Sequence, residues 1–358
     1  MKPSKLFVLL IVAVALLALA YRSSHRRHVS PPSGIGKKVL PGLNLEAVAR
    51  VEIARDNNAP IVIVRGETGW SVTNLFGYPA DMAKLRNNLL TLGEMKVGDL
   101  QRGMNLDTNA VTLVDLQAAS GKPLATLRLG KQYQRSGGEA SWRSPAGGRY
   151  LSVAGDKRVF LVKESLTDFD GDAKDWVSTQ LLNLPSSDIQ TVELSSPTGQ
   201  VLTLSRATGS LQMPGLATNE ELNVSQTYGI ESAFGNLTFA NVANPALADA
   251  QTGLAAPHLF RVTLKNGDVY TARIGSSVST NQTDRYVRLS ATLSPGTNVA
   301  QKAEYATRQA ENEQKFGKWI YLISSYTADN MTRARADLVK PKVVTTNETA
   351  VAEAPVAK

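Results

Sequence analysis

Short runs of alternating hydrophobic and polar residues recur along this chain, and they recur twice in the same order. The first series opens with Val48–Ile53 and PIVIVRG and turns at GETGW; the second opens with DIQTVEL and QVLTLSR and turns at RATGS. Period-two alternation over such short stretches predicts strand hairpins. A helix is expected next in each series. In the first, YPAD leads into it, with Pro79 at an early helical position and Met82, Leu85, Leu89 and Leu92 forming one apolar face. In the second, Thr218 and Glu221 form a capping box ahead of Leu222, Tyr228, Ile230 and Phe234.

Beyond each helix the correspondence continues. NLDTNAVTLVDLQAASGKPLATLRLG is answered by GLAAPHLFRVTLKNGDVYTARIG, RYLSV by RYVRL, and DKRVFLVKESL by GKWIYLISSYT. The alternation in VTLVDL, LATLRL, FRVTL and YTARI is that of antiparallel strands with one buried face. The expected fold is α+β: two tandem repeats over residues 43–184 and 185–340, each an antiparallel sheet with a packed helix. The second repeat carries an insertion, residues 291–317, containing VAQKAEYATRQAENEQKF. It predicts a charged helix with one weak stripe, Val299, Ala303, Ala306 and Ala310, either a flap on the protein's own surface or a contact helix for a partner.

The ends of the chain have a different texture. Lys2 and Lys5 precede LFVLLIVAVALLALAY, residues 6–21, which reads as a signal-anchor behind which the bulk of the chain lies outside the cytoplasm. Ala18-Leu19-Ala20 also suits a cleaved signal, but Arg22, Arg26 and Arg27 follow at once, so the uncleaved single-pass anchor is preferred and cleavage is the alternative. Residues 22–42 read as a basic tether rich in Ser, Pro and Gly, and residues 341–358 as a disordered tail.

Charge changes the picture only once it is located. Residues 1–42 hold seven Lys and Arg and no acid, whereas residues 43–340 hold 30 against 29 Asp and Glu. The formal net charge of +8 therefore belongs to the anchor and tether, and gives no reason to expect nucleic-acid binding.

With no cysteine, thiol catalysis and Cys-ligated zinc are excluded. Of three histidines, His25 and His28 fall in the tether, and His258 stands alone before a strand. No phosphate-binding loop, dinucleotide motif or nucleophile elbow occurs, so the chain is not itself an ABC ATPase and calls for no cofactor. The densest acidic stretch, TDFDGDAKDW, places Asp168, Asp170 and Asp172 as an EF-hand would, but Ala173 stands where the glycine belongs and Thr179 where the glutamate belongs. The better reading is a capped helix beginning near Trp176, anchored by Trp176, Leu181 and Leu182, at the joint between the repeats. Trp70 and Trp319 read as core residues.

The candidate contact loop is KQYQRSGGEASWRSPAGGRY, where Arg135, Arg143 and Arg149 alternate with Tyr133, Trp142 and Tyr150. It could stack on sugars or bases and hold an acidic group by bidentate Arg contacts, or it could be a hairpin tip whose aromatics fold back on the sheet.

The GW…YPAD opening, the NLD element, the RYLSV–RVFLV ending, the anchor and the repetition together resemble a family of uncharacterised (DUF-type) envelope proteins encoded beside gliding-motility-type ABC transporter components. The resemblance covers about residues 45–200 and, less sharply, the second copy. It implies a non-catalytic accessory or scaffold protein at the inner membrane, on the periplasmic side, whose partner is an integral membrane permease or another envelope protein. It brings no established active site. The second expectation is a module that binds an envelope glycan or anionic polymer through the loop 131–150.

Overall fold

The computed structural model describes residues 34–342 apart from 56–57, 102–105, 107–110, 134–146, 208, 279 and 296–298. The expected anchor, the first part of the tether and the tail from residue 343 lie outside the described residues, and so do Arg135, Trp142 and Arg143. Among the described residues no helix is long and apolar enough to cross a membrane.

The chain is a mixed α+β protein dominated by antiparallel sheet. Along it run β1 (Val48–Arg55), β2 (Ile61–Gly66), β3 (Gly69–Val72), β4 (Tyr78–Pro79), helix α1 (Met82–Glu94), β5 (Val97–Gln101), β6 (Thr112–Ala118), β7 (Pro123–Gln132), β8 (Arg149–Val153) and β9 (Val159–Val162). Then come β10 (Gln180–Leu182), β11 (Ile189–Ser195), β12 (Val201–Ser205), β13 (Glu220–Leu222), α2 (Val224–Ser232), β14 (Leu237–Thr238), β15 (Asn241–Ala243) and α3 (Asp249–Thr252). The last stretch holds β16 (His258–Leu264), β17 (Val269–Val278), β18 (Asn281–Thr292), α4 (Val299–Phe316), β19 (Ile320–Ser324), α5 (Ser325–Met331), α6 (Arg335–Leu338) and β20 (Val339–Pro341).

Two compact units divide these elements. One takes the residues up to Pro60 with Ala83–Asp170, and the other takes Ile61–Met82 with everything from Gly171 onward. The sequence pattern placed the joint at 184/185, whereas the changeover falls at Asp170/Gly171 and the β2–β4 segment goes with the second unit.

In the first unit β1, β6, β7, β8, β9 and β5 are hydrogen-bonded in that order, every neighbouring pair antiparallel. The alternation in β6 is the reason for its orientation: Val114 and Leu116 are buried while Leu113 and Asp115, which alternate with them, are half-exposed. Helix α1 buries Leu85, Asn88 and Leu92, with Leu89 only partly covered and Met82 exposed. The expected face is thus turned toward Asn88, whose amide donates to Lys84 O at 2.9 Å and to the Asp168 carboxylate at 2.8 Å. Residues 34–42 depart from a loose tether: Val39 and Leu40 are buried, and Lys38 bridges to Lys96 and pairs with Glu94 at 2.8 Å. Two adjacent apolar side chains gain more from burial than a solvated linker would.

In the second unit β12, β11, β16, β17, β18, β19 and β15 form a seven-stranded antiparallel sheet. The unit also holds the β2–β3–β4 hairpins and the short pairs β10–β14 and β13–β20. Pro79, expected in a helix, lies instead in β4 opposite Ser71. That extended segment delivers Tyr78 into an aromatic nucleus, where its ring meets Trp319 at 4.9 Å, Phe239 at 5.4 Å and Tyr321 at 6.1 Å, all edge-on.

The expected capping box of Thr218 and Glu221 does not form. Glu221 lies in β13 opposite Lys340, and α2 starts only after Asn223, because pairing with β20 claims the backbone first. Phe234 and Ile230 are buried as expected, but Tyr228 is among the most exposed large side chains.

Each unit contains a β-bulge with a glycine in it. In the first, Leu129 faces Leu151 but Gln132 faces Arg149, so β7 spends one residue more than β8. In the second, Ile274 faces Val287 but Ser277 faces Arg285. A bulge strands a backbone carbonyl. Arg149 Nε donates to Gly130 O at 2.8 Å in one unit, and Arg285 donates to Gly275 O at 3.1 and 2.6 Å in the other. Gly275 has no room for a side chain, since a Cβ there would stand 2.1 Å from Thr252 O.

Candidate functional site

The acidic stretch that looked most chemical is used up within the protein. It forms two single 3-10 turns, Thr167–Asp170 and Ala173–Trp176, and the second ends at Trp176, where a helix was expected to begin. Trp176, Leu181 and Leu182 are buried as anticipated, but Trp176 closes the second turn and the two leucines lie in β10 rather than on a helix. Asp168 receives Asn88 at 2.8 Å and pairs with Lys84 at 3.2 Å. Burial alone would raise its pKa, but those two partners outweigh it and hold the carboxyl below its usual value. Asp175 accepts from the Asp172 N–H at 2.7 Å, closing its own turn. Among the described residues no group of three or more acidic or histidine side chains could hold a metal ion.

Asp170 is the partner of Arg149. The guanidinium grips it bidentately at 2.7 and 2.8 Å, and also donates to Leu166 O at 2.9 Å and Gly130 O at 2.8 Å. Arg149 was a candidate ligand contact; at 4% exposure it lies inside the first unit with its donors spent on the bulge and the turn. Tyr150 is likewise buried, and Tyr133, half-exposed, stands edge-on to it at 5.9 Å. These three described members of the candidate loop brace their own sheet.

The second unit presents a more open arrangement around α4. The helix has the limits its pattern predicts, and the structure supplies the orientation that the pattern left open. Ala303, Ala306 and Ala310 point to solvent, while Tyr305, Arg308, Asn312 and Phe316 turn inward. Arg308 forms an ion pair with Asp268, a carboxylate with only 1% of its side chain exposed. Asp268 also accepts from Ser294 N–H at 2.8 Å and Asn266 at 2.9 Å. Burial pushes its pKa up, but Arg308 and these donors together bring it below the ordinary carboxylate value. Nothing in the turn Asn266-Gly267-Asp268 marks that acid as buried. The spacing of Tyr305, Arg308, Asn312 and Phe316 on one helical face was the available signal.

The end of α4 is pinned by the strand that follows. Its last carbonyls would otherwise lack donors. Trp319 Nε1 donates to Gln314 O at 3.0 Å, the Tyr321 hydroxyl to Lys315 O, and Lys315 Nζ to Leu181 O at 3.4 Å. Two cavities flank this pinned turn. One, of about 450 Å³, lies between α4 and the stretch Leu289–Leu293. The other, of about 380 Å³, lies between the turn and the β2–β3 hairpin, with Trp70 and Glu313 in its walls. Trp319 is buried as expected, whereas Trp70 is half-exposed on this cavity.

His258, in β16, has its pKa lowered by burial and by the charge of Arg285, which favours the neutral imidazole. What the fold and these surfaces define is a two-unit antiparallel α+β protein whose buried charges serve structure, with an externally mounted helix on the second unit. The chain belongs to the DUF4340 family, a domain of unknown function, which matches residues 70–257, more than half of its length. No curated protein and no solved structure matches the chain.

Proposed function

We propose that this protein is a non-catalytic extracytoplasmic accessory or scaffold subunit of an envelope ABC-type transport system, held at the inner membrane through residues 6–21 and working through contacts with an integral membrane permease. In this reading its body is a tandem repeat. The strand order β1-β6-β7-β8-β9-β5 has its counterpart in β11-β16-β17-β18-β19-β15, which supports the duplication. So does the pairing of a bulge glycine with an arginine, Gly130 with Arg149 and Gly275 with Arg285. Each of these arginines also meets an aspartate in the turn or helix after the last long strand, Asp170 at 2.7 Å and Asp329 at 3.9 Å.

The observation that carries the functional reading is the outward stripe of α4. Ala303, Ala306 and Ala310 are exposed on a helix whose other side is fixed by an ion pair and an aromatic cap, with Lys302, Glu304 and Glu311 beside them. A rigid helix with small residues outward and charges at its flanks lets a partner helix approach closely. The test is the double substitution Ala306→Arg with Ala310→Arg. Arginine keeps helix propensity, so the unfolding midpoint stays unchanged, while co-purification with a permease from mild detergent falls at least about tenfold. Undiminished association would refute the assignment.

A further inference from the structure

We propose that the cavity between the β2–β3 hairpin and the last turn of α4 is a binding site for a neutral carbohydrate. Its volume of about 380 Å³ falls within the usual range for small-ligand sites, about 300–1,000 Å³. One wall is glycine-rich hairpin carrying Thr68, Trp70 and Ser71, and the other is the turn carrying Glu313, Gln314 and Lys318. All of these residues belong to the second unit.

Three features define the ligand class. Trp70 is the one tryptophan of the cavity with surface to offer. Trp319 is buried, its indole N–H is committed to Gln314 O, its ring meets Tyr78 edge-on, and Lys318 Nζ lies 4.5 Å from its centroid. A half-exposed indole is a platform for the C–H face of a pyranose ring, apolar on one side with polar groups at its rim. Around it, the side chains of Thr68, Ser71, Glu313 and Gln314 make no hydrogen bond or ion pair among the described residues, in contrast to Asp168 and Asp170. The hydroxyl of Thr68, the amide of Gln314 and the carboxylate of Glu313, all among the residues lining the cavity, are donors and acceptors of the kind that pair with a sugar's hydroxyls. Finally, the walls carry one acid, Glu313, and one ammonium, Lys318. The absence of an excess of either sign favours a neutral sugar over an anionic polymer or nucleic acid.

The site is separate from the alanine stripe of α4, so it is tested separately. The full chain in detergent is titrated with N,N′-diacetylchitobiose, cellobiose and maltose, followed by tryptophan fluorescence and calorimetry. At least one disaccharide is expected to bind saturably, with a Kd of about 0.1–1 mM. Trp70→Ala should weaken that binding about tenfold or more, and Trp70→Phe should restore part of it. Glu313→Gln should weaken it several-fold with no change in the unfolding midpoint, since Glu313 is exposed and its side chain holds no part of the fold. Absence of saturation by all three sugars up to about 10 mM overturns the proposal, and so does undiminished binding by Glu313→Gln and Trp70→Ala. The Ala306→Arg, Ala310→Arg chain should bind the sugar as the parent does, which keeps failure here distinct from failure of the partner assignment.

Discussion

Removing the Arg149 guanidinium should damage the first unit more than any other single change to a charged side chain in it. The side chain is 5% exposed and makes four bonds of 2.7–2.9 Å, two to the Asp170 carboxylate and one each to Gly130 O and Leu166 O. Arg149→Met keeps much of the volume but no donor. The two carbonyls lose a charged donor in a buried setting, at about 1–2 kcal/mol each. Asp170, with 38% of its side chain exposed, can rehydrate, so its share is discounted to about 1 kcal/mol. The sum is roughly 3–5 kcal/mol, in the range found when one partner of a buried pair is removed. Arg149→Lys retains the charge but not the fork, and should lose about half as much. Asp170→Asn, which leaves both carbonyl bonds in place, should lose about 1 kcal/mol. The assay is urea unfolding by circular dichroism, with hydrogen exchange of the β8 amides to localise the effect. The reasoning is refuted if Arg149→Met unfolds within about 1 kcal/mol of the parent, or if Asp170→Asn costs as much as Arg149→Met. The counterpart Arg285→Met should cost less, because Asp329 stands 3.9 Å away and the main loss is the Gly275 carbonyl.

Three further expectations concern the second unit. Arg308→Gln leaves Asp268 buried without its counter-ion, at a cost of about 2–4 kcal/mol, and trypsin should then cut α4 at Lys302 faster. Because the folded-state pKa of Asp268 is depressed below its ordinary value of 3.8, the stabilisation is complete above that value and is lost as pH falls through the lower folded one; Asp268→Asn should flatten the acid limb of the urea midpoint against pH. Gly275→Ala would force a Cβ to within 2.1 Å of Thr252 O, and should lower stability by about 2–3 kcal/mol, read as a fall in the second unit's melting temperature.

Several features were legible in the linear pattern because they depend on near neighbours. The strands follow from period-two alternation, the limits of α4 from its charged run, and the burial of Trp176, Leu181 and Leu182 from their apolar character. The misreadings share a cause. Pro79 looked like a helix start, but its neighbour Tyr78 is drawn into a ring cluster with Trp319 and Tyr321, more than two hundred residues away. The orientation of α4, which its weak stripe left open, has the same kind of origin: the inward side is chosen by Asp268, which needs Arg308 as its counter-ion.

The α+β class with its antiparallel strands was readable from the chain alone, since alternation and residue identity are local properties, and the lack of any cysteine removes thiol chemistry outright. Only the tertiary structure decided which charges are spent and which remain open. Arg149 looked available in a loop and is consumed by a bulge carbonyl and a carboxylate, whereas Trp70 and Glu313, unremarkable in sequence, face a common cavity. The physical reason is that side-chain availability is what remains after long-range partners have been satisfied, and those partners are chosen by sheet register.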